Sequence, residues 1–404
     1  MTAKKKSENN ETAKQLLALV YTHKQITRKD LADLTGLSNL TVAKIITALI
    51  AEGVIIETET LNTEKGRKPL FLSPNPDYAY VIGIDVGSYS IKIGIVDFSG
   101  RIIEKKIQTI DIADLVSPFS VINFSELRAH ISRLIEKYGT KKLMGIGIGI
   151  TGLVNSVSQT VVFCPNIRGY NDLAISSILS DQFKVPVMVD TSARCMALGE
   201  LYFGNSSKSG DISFVSVGYS IAVGTIIGGK IFRGFSGFAG ELGHVKTDIG
   251  ENKVCTCGSY NCVEGYVTLP EMKNMLIKKL EKFKGYSLLK EKYERAGEIS
   301  YEDMVNAVNM RDKVAIEGFG ETIERLGAVL ADYINLFNPA LLVLGGGFFD
   351  LFPFALPELE RELQKQCLTP SFMNVQLKLS ELSVDGAIIG SAMQIIRTAF
   401  TKPD

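Results

Sequence analysis

The chain opens on helical periodicity and then passes to short apolar runs. From Glu11 to Tyr21 apolar positions recur at helical spacing through Leu16, Leu17 and Val20, the stripe of an amphipathic helix. A second helix is predicted from Thr27, whose hydroxyl can cap it while Asp30, three residues on, completes a capping-box-like pair. It carries Leu31 and Leu34 and is broken by Gly36-Leu37-Ser38. A third helix places Val42, Ile45, Ile46, Leu49 and Ile50 on one face. Helix, short glycine-containing turn and helix make the helix-turn-helix pattern. Gly53 stops the third helix; Val54–Thr60 and Leu70–Leu72 are strand-like and bracket the basic turn Lys65-Gly66-Arg67-Lys68-Pro69, as a wing would. Residues 1–10 are polar and are expected to be disordered.

Ser73-Pro74-Asn75-Pro76 reads as a linker. Beyond it the pattern changes. Val81–Val86, Ile91–Asp97 and Arg101–Thr109 are strand-like runs separated by turns, and helical and strand-like segments alternate to the end. That alternation predicts α/β layers. The last stretch, Gly386–Phe400, is helical in pattern, with Ile388, Ile389, Met393 and Ile396. Gly145-x-Gly147-x-Gly149 resembles a nucleotide motif but alternates along an apolar strand-like run, so it is read as structural.

Composition narrows the class. The 404 residues are 46% hydrophobic and 22% charged, as in a globular protein. The whole chain has no net charge, whereas its first seventy residues hold eleven Lys/Arg against eight Asp/Glu. That small excess lies beside the helical motif, where phosphate binding would use it. No apolar run is long enough to cross a bilayer, and the segment after Lys4-Lys5-Lys6 is too polar for a signal peptide, so a cytoplasmic location is expected. There are three histidines, and no local motif supports a Ser-His-Asp site.

On the third helix Ser38, Asn39, Thr41, Lys44 and Thr47 lie off the apolar face. Polar residues near a recognition helix's N-terminus can reach base edges in the major groove, and Lys44 suits a phosphate. With Arg67 and Lys68 of the basic loop, these residues are the expected contacts to a double-stranded DNA operator. A small helical protein-binding domain is the alternative.

Six cysteines in a chain of this length do not form a disulfide framework. Three are clustered. Cys255, Cys257 and Cys262 follow His244, and three sulfurs with one imidazole match a closed tetrahedral zinc site. Full coordination leaves no position for a reactive water, so such a metal is structural. Four unrelated residues, with ordinary buried cysteines, are the alternative. Cys164, Cys195 and Cys367 are expected in the core.

Phe238-Ala-Gly-Glu-Leu-Gly-His244, then Cys255-Thr-Cys257-Gly-Ser-Tyr-Asn-Cys262, then Val263-Glu264 closely resembles the signature of the ROK family (repressors, open reading frames and kinases). The resemblance covers nearly the whole chain, and its repressor branch carries a winged helix-turn-helix in front. It implies an α/β body of two actin-like (ribonuclease H-like), ATPase-type domains with a sugar cleft between them. The expected division is a head over 11–73, a linker over 74–79, a first body domain over 80–190 with 386–404, and a second over 191–385 with the zinc loop. The resemblance implies that Glu241, His244 and Glu264 bind sugar hydroxyls, that Asp190 stands where the kinases keep their catalytic base, and that Asn166 faces the cleft. His244 could serve twice, one ring nitrogen on zinc and the other toward the sugar. Asn261 departs from the family, which usually has glycine there.

The kinases of the family resemble one another at Asp-x-Gly-Gly-Thr, where this chain reads Asp85-Val86-Gly87-Ser88-Tyr89. Their second phosphate loop resembles Gly-Thr-Gly-Ile-Gly-Gly-Gly; here it is Gly218-Tyr219-Ser220-Ile221-Ala222-Val223-Gly224. Phosphoryl transfer needs free backbone amides around the phosphates; Tyr89 in the first element, and Tyr219, Ala222 and Val223 at three small or glycyl positions of the second, oppose that. Gly345-Gly346-Gly347 keeps the third element, and Val189 replaces the usual asparagine before Asp190. The expected function is therefore a transcriptional regulator, a repressor, answering to a sugar or sugar derivative and working as a homodimer or homotetramer on paired half-sites. A sugar kinase using ATP and a regulator controlled by a protein partner are the alternatives.

Overall fold

A computed structural model describes residues 3–23, 25–59, 70–87, 90–109, 124–164, 171–204, 210–247 and 252–401. The head is built from α1 (Ala3–Thr22), α2 (Arg28–Thr35), α3 (Asn39–Ala51), β1 (Ile55–Glu59) and β2 (Leu70–Pro74). Helix α1 starts at Ala3, within the stretch over 1–10 expected to be a tail; nothing between Lys4 and Asn10 breaks a helix, and Lys and Glu are good helix formers. Leu16, Leu17, Leu31, Val42 and Ile46 form the small core under these helices. β1 and β2 pair antiparallel, Ile55 opposite Pro74; the basic turn between them, with Arg67 and Lys68, lies outside the described residues. The expected linker is tied down at its start: Asn75 donates from its backbone N–H to Val54 O and from Nδ2 to Gly53 O.

The chain divides into two compact units, residues 1–206 with 385–404 and residues 207–384. In the first, α4 (Phe124–Tyr138) and α5 (Ile175–Phe183) accompany a sheet of β3 (Tyr80–Val86), β4 (Ser90–Asp97), β5 (Ile102–Thr109), β6 (Leu143–Ile150) and β9 (Val187–Thr191). A small hairpin, β7 (Leu153–Asn155) with β8 (Thr160–Phe163), stands apart from it. The sheet order is β5-β4-β3-β6-β9, with the first three strands antiparallel and the last two parallel to β3 and to each other. The helix α6 (Ser192–Phe203) packs in this unit, which moves the body boundary from the expected 190 to 206.

The glycines of β6 explain how that packing closes. A Cβ at Gly147 would stand 1.8 Å from the carbonyl oxygen of Ser391 and one at Gly145 2.5 Å from that of Pro186. Gly145 lets the chain entering β9 approach, whereas at Gly147 the C-terminal helix, Gly386–Ile396, lies directly on the strand with all its residues buried. Its Gly390 meets Cys195 in α6 equally closely. Ser391 and Gln394 are buried there but bonded: Ile84 N–H donates to Ser391 Oγ and Gln394 Nε2 to Ile148 O.

The second unit repeats the strand plan. β10 (Ile212–Val217), β11 (Ile221–Ile227) and β12 (Lys230–Ile231) are antiparallel, and β13 (Leu341–Gly345) and β14 (Gln376–Leu379) add in parallel, in the order β12-β11-β10-β13-β14. The helices are α7 (Glu264–Val267), α8 (Leu269–Lys282), α9 (Leu288–Ala296), α10 (Tyr301–Asn309), α11 (Lys313–Phe337), α12 (Gly347–Leu351), α13 (Ala355–Gln366) and α14 (Thr369–Asn374). The remaining helix, Gly386–Ile396, is α15. Leu326, Leu330 and Ile334 of α11 and Leu342 and Leu344 of β13 are buried in one core. Two units, each with three antiparallel strands extended by two parallel ones, give the actin-like α/β body. No described helix is long and apolar enough to cross a membrane.

Candidate functional site

The recognition face follows from how α3 begins. Ser38 caps it, accepting from Thr41 N–H at 3.2 Å, and α2 ends at Gly36 in the left-handed region (φ 69°), which a Cβ would strain. Thr27 and Asp30 form the reciprocal capping box, whose hydrogen bonds hold the Asp30 carboxyl below its ordinary range. With Val42 and Ile46 buried, Ser38, Asn39, Thr41, Lys44 and Thr47 are all exposed. Three of the five are engaged locally: Ser38 and Thr41, whose hydroxyls are hydrogen-bonded at 2.8 Å in the cap, and Thr47, whose Oγ1 accepts from Arg28 at 3.1 Å while Arg28 pairs with Glu57. Leu40, which belongs neither to the apolar face nor to the polar set expected from the sequence, is 81% exposed beside Asn39 and Thr41, an apolar side chain suited to a thymine methyl.

The head leans on the first α/β sheet through Tyr21. Its ring stacks on Phe400 at 4.7 Å and meets Phe98 edge-on at 5.6 Å. Its hydroxyl donates to Phe98 O, and burial raises the phenol well above its ordinary pKa.

The cysteine loop lies in the second unit. Bridges Lys246–Cys262 and Val254–Tyr260 fold it back on itself. Asn261 has φ 56°, the left-handed conformation that Asn tolerates best after glycine. Its Oδ1 accepts from Lys253 N–H and from Tyr266 Oη, so it fixes the turn from both sides. The donor atoms of His244, Cys255, Cys257 and Cys262 all lie within 4.8 Å of one another. Cys257 and Cys262 Sγ are 3.8 Å apart, and Cys255 Sγ is 3.7 Å from His244 Nδ1. A tetrahedron with metal–sulfur bonds of about 2.3 Å has edges of about 3.8 Å, so the four residues fit a soft tetrahedral metal. Burial pushes the Cys255 thiol up to about 11. Lys246 donates to Cys262 Sγ at 3.1 Å, a partner the sequence reading missed.

Around that loop the structure gathers part of the expected ligand set. His244 turns Nε2 toward Glu241, 4.0 Å away, while Nδ1 faces Cys255. Glu264 accepts from Ile221 N–H. Burial raises its pKa, against the pull of His244. Asp190 belongs to the first unit and is buried in an ion pair with Arg194 at 2.9 Å. Its Oδ1 also accepts from Thr191 N–H. Asn166 lies outside the described residues.

At the phosphate elements, Asp85 is buried between Lys92 Nζ at 2.9 Å and Ser192 Oγ at 2.6 Å. Ser88 and Tyr89 lie outside the described residues. Gly218-Tyr219-Ser220 is a tight hairpin turn, whereas Ala222 and Val223 belong to β11. Of the three replaced positions, Tyr219 alone stands at the turn, its ring edge-on to Tyr301 at 5.9 Å. Gly346 turns with φ 87°, and a Cβ there would meet Val217 O at 2.6 Å.

Residues 81–398 match the ROK family model and residues 9–56 a winged helix-turn-helix DNA-binding model. The chain is 29% identical over 392 residues to the xylose repressor of Caldicellulosiruptor bescii, covering 96% of each. It is 27% identical to the dual regulator NagC of Escherichia coli, covering 90% of this chain and 87% of that one. A crystallised ROK transcriptional regulator, a homologue of the E. coli MLC protein, superposes with a TM-score of 0.77 at 24% identity over 97% and 96% of the two chains. A ROK glucokinase of Streptomyces griseus, solved with glucose and AMPPNP, superposes at 0.65 and 24% identity over 78% and 98%.

Proposed function

The chain belongs to the ROK family, and from that premise we propose that it is a DNA-binding repressor of carbohydrate metabolism whose body binds a sugar or sugar derivative that changes operator affinity. The observation carrying this reading is the exposed, capped face of Asn39, Thr41 and Lys44 on a head joined to a body that sets Glu241, His244 and Glu264 beside three thiols. Carboxylates and an imidazole suit a polyol, and an effector acts only by preferring one of two arrangements of the protein. Relatives named as xylose and N-acetylglucosamine repressors favour a pentose or an acetylated hexosamine.

His244, Cys255, Cys257 and Cys262 would hold Zn2+, with Glu241, Glu264 and Nε2 of His244 as the groups that meet the ligand. The ion supplies rigidity and fixes the imidazole tautomer. Catalysis is the less favoured use of the body. A general base needs an accessible lone pair, and Asp190 is almost wholly buried and held by Arg194. Tyr219 crowds a turn where a nucleotide phosphate would need bare amides. Two half-sites call for a homodimer or homotetramer.

DNA selected from a random pool with the full chain, then titrated with and without xylose, glucose, N-acetylglucosamine and their phosphates, tests the reading. Binding of one sugar, registered as a rise in melting temperature, should change DNA affinity at least fivefold. A sugar that raises the melting temperature and leaves DNA affinity unchanged defeats the effector reading. Robust nucleotide turnover with a sugar panel defeats the non-catalytic one.

A further inference from the structure

Behind the cysteine loop, α7, α8 and α11 line a half-open cavity of about 340 Å3, within the range of small-ligand pockets, roughly 300–1,000 Å3. Its lining is unusual in charge. Lys253, Lys278, Lys279, Lys282 and Arg325 converge there against Glu271 and Glu321. Glu317, at 2.7 Å, also reaches Lys279. Lys253 is held by Glu271 and by Gly265 O, and Arg325 by Glu321 at 3.5 Å. Lys278 and Lys282, one helical turn apart on α8, have no ion-pair partner among the described residues. Like charges at that spacing repel one another.

The floor is the ring of Tyr266, with Lys253 Nζ 5.6 Å and Arg325 Cζ 5.7 Å from its centroid. Cations held by carboxylates around an aromatic floor, with two further ammonium groups at the rim that have no ion-pair partner among the described residues, leave a surplus of donors and of positive charge. We propose that this cavity is a second ligand site, separate from the Glu241–His244–Glu264 cluster, for a small phosphorylated metabolite. A phosphate monoester dianion would offset the surplus charge and accept the charge-assisted hydrogen bonds that lysine and arginine supply. The concave shape suits a compact ligand rather than the backbone of a duplex. The site also touches the metal loop: the Lys253 backbone is bonded to Asn261 in both directions, and its side chain reaches the carbonyl next to Glu264.

Isothermal titration calorimetry of the full chain with inorganic phosphate and with glucose 6-phosphate, at low salt, tests the assignment. Saturable binding is expected for both, weakened at least tenfold in the double variant K278Q/K282Q and unchanged for inorganic phosphate in E241Q. Both lysines are exposed, so the exchange leaves the core intact, and an unaltered melting temperature checks this. Absence of saturable phosphate binding, or binding equal in K278Q/K282Q and the parent, overturns the proposal. Loss of DNA affinity in K278Q/K282Q with phosphate binding retained assigns the patch to nucleic acid and overturns it too.

Discussion

Arg194, in the first turn of α6, is paired with Asp190 at the end of β9, at 2.9 Å, with their side chains 1% and 2% exposed. Removing one member of a buried pair leaves an uncompensated charge, which costs about 3–5 kcal/mol. Arg194→Ala should therefore lower the melting temperature sharply, while the double replacement of Arg194 by Met and Asp190 by Leu should recover most of the loss. Thermal melts of the three proteins check this; an Arg194→Ala protein as stable as the parent refutes the structural role given to the pair.

The recognition helix separates positioning from reading. Lys44→Ala should weaken binding to all DNA sequences alike and reduce the salt dependence by about one phosphate contact. Asn39→Ala and Leu40→Ala should instead relax preference at single base pairs, by about 1–3 kcal/mol for a lost bidentate contact and less for an apolar one. Binding to a series of single-base operator variants at several salt concentrations distinguishes the two outcomes.

Lys246 donates to Cys262 Sγ, offsetting part of the charge of a three-thiolate site. Groups in that position change metal affinity by about 10–100-fold. Lys246→Gln should lose zinc to a chromogenic chelator more readily than the parent by such a factor, and Cys257→Ser more readily still. Metal content after dialysis against graded chelator reads the effect. A Lys246→Gln protein with parental retention rules the contribution out.

The Tyr21 hydroxyl is bonded to Phe98 O and its ring to Phe400. Tyr21→Phe leaves a buried carbonyl without its donor, at about 1–3 kcal/mol, and should raise the exchange rate of backbone amides in α1 above that in α15. Hydrogen exchange followed by mass spectrometry measures both helices in one experiment. Equal protection in parent and variant would show that this hydroxyl does not hold the head.

Gly147→Ala would bring a Cβ to within 1.8 Å of the Ser391 carbonyl. Backbone, not a flexible side chain, stands in the way, so α15 must shift. We expect a loss at or beyond the upper end of the 1–3 kcal/mol typical of overpacking, measured as the denaturant midpoint of the full chain.

Much of the head was legible because its signals are local. Capping at Thr27, the break at Gly36-Leu37-Ser38 and the apolar stripe through Val42 and Ile46 each depend on residues within a turn or two. The exposure of Leu40 was not legible, because it resembles its buried neighbours in chemistry and differs only in the direction it faces. Nor was the start of α1 at Ala3, where polarity suggested disorder but nothing opposes a helix.

The metal loop lies between these cases. Three cysteines and a histidine at close spacing announce their chemistry, and Asn261 in place of glycine is explained once its φ of 56° is known. The partners of that loop, Lys246, Lys253 and Tyr266, carry no spacing signal, because they reach it through folding rather than sequence.

By itself the sequence determined the class of the head, the donor set of the metal loop and the alternation that builds the body, since periodicity and short-range spacing are properties of the chain. Only the tertiary structure decided that Asp190 is locked by Arg194, that Gly147 of β6 seats the C-terminal helix, that Leu40 faces outward and that five cations meet behind the metal loop. Each of these depends on groups far apart in the chain or on which way a side chain points, and burial and long-range contact are set by how the elements pack.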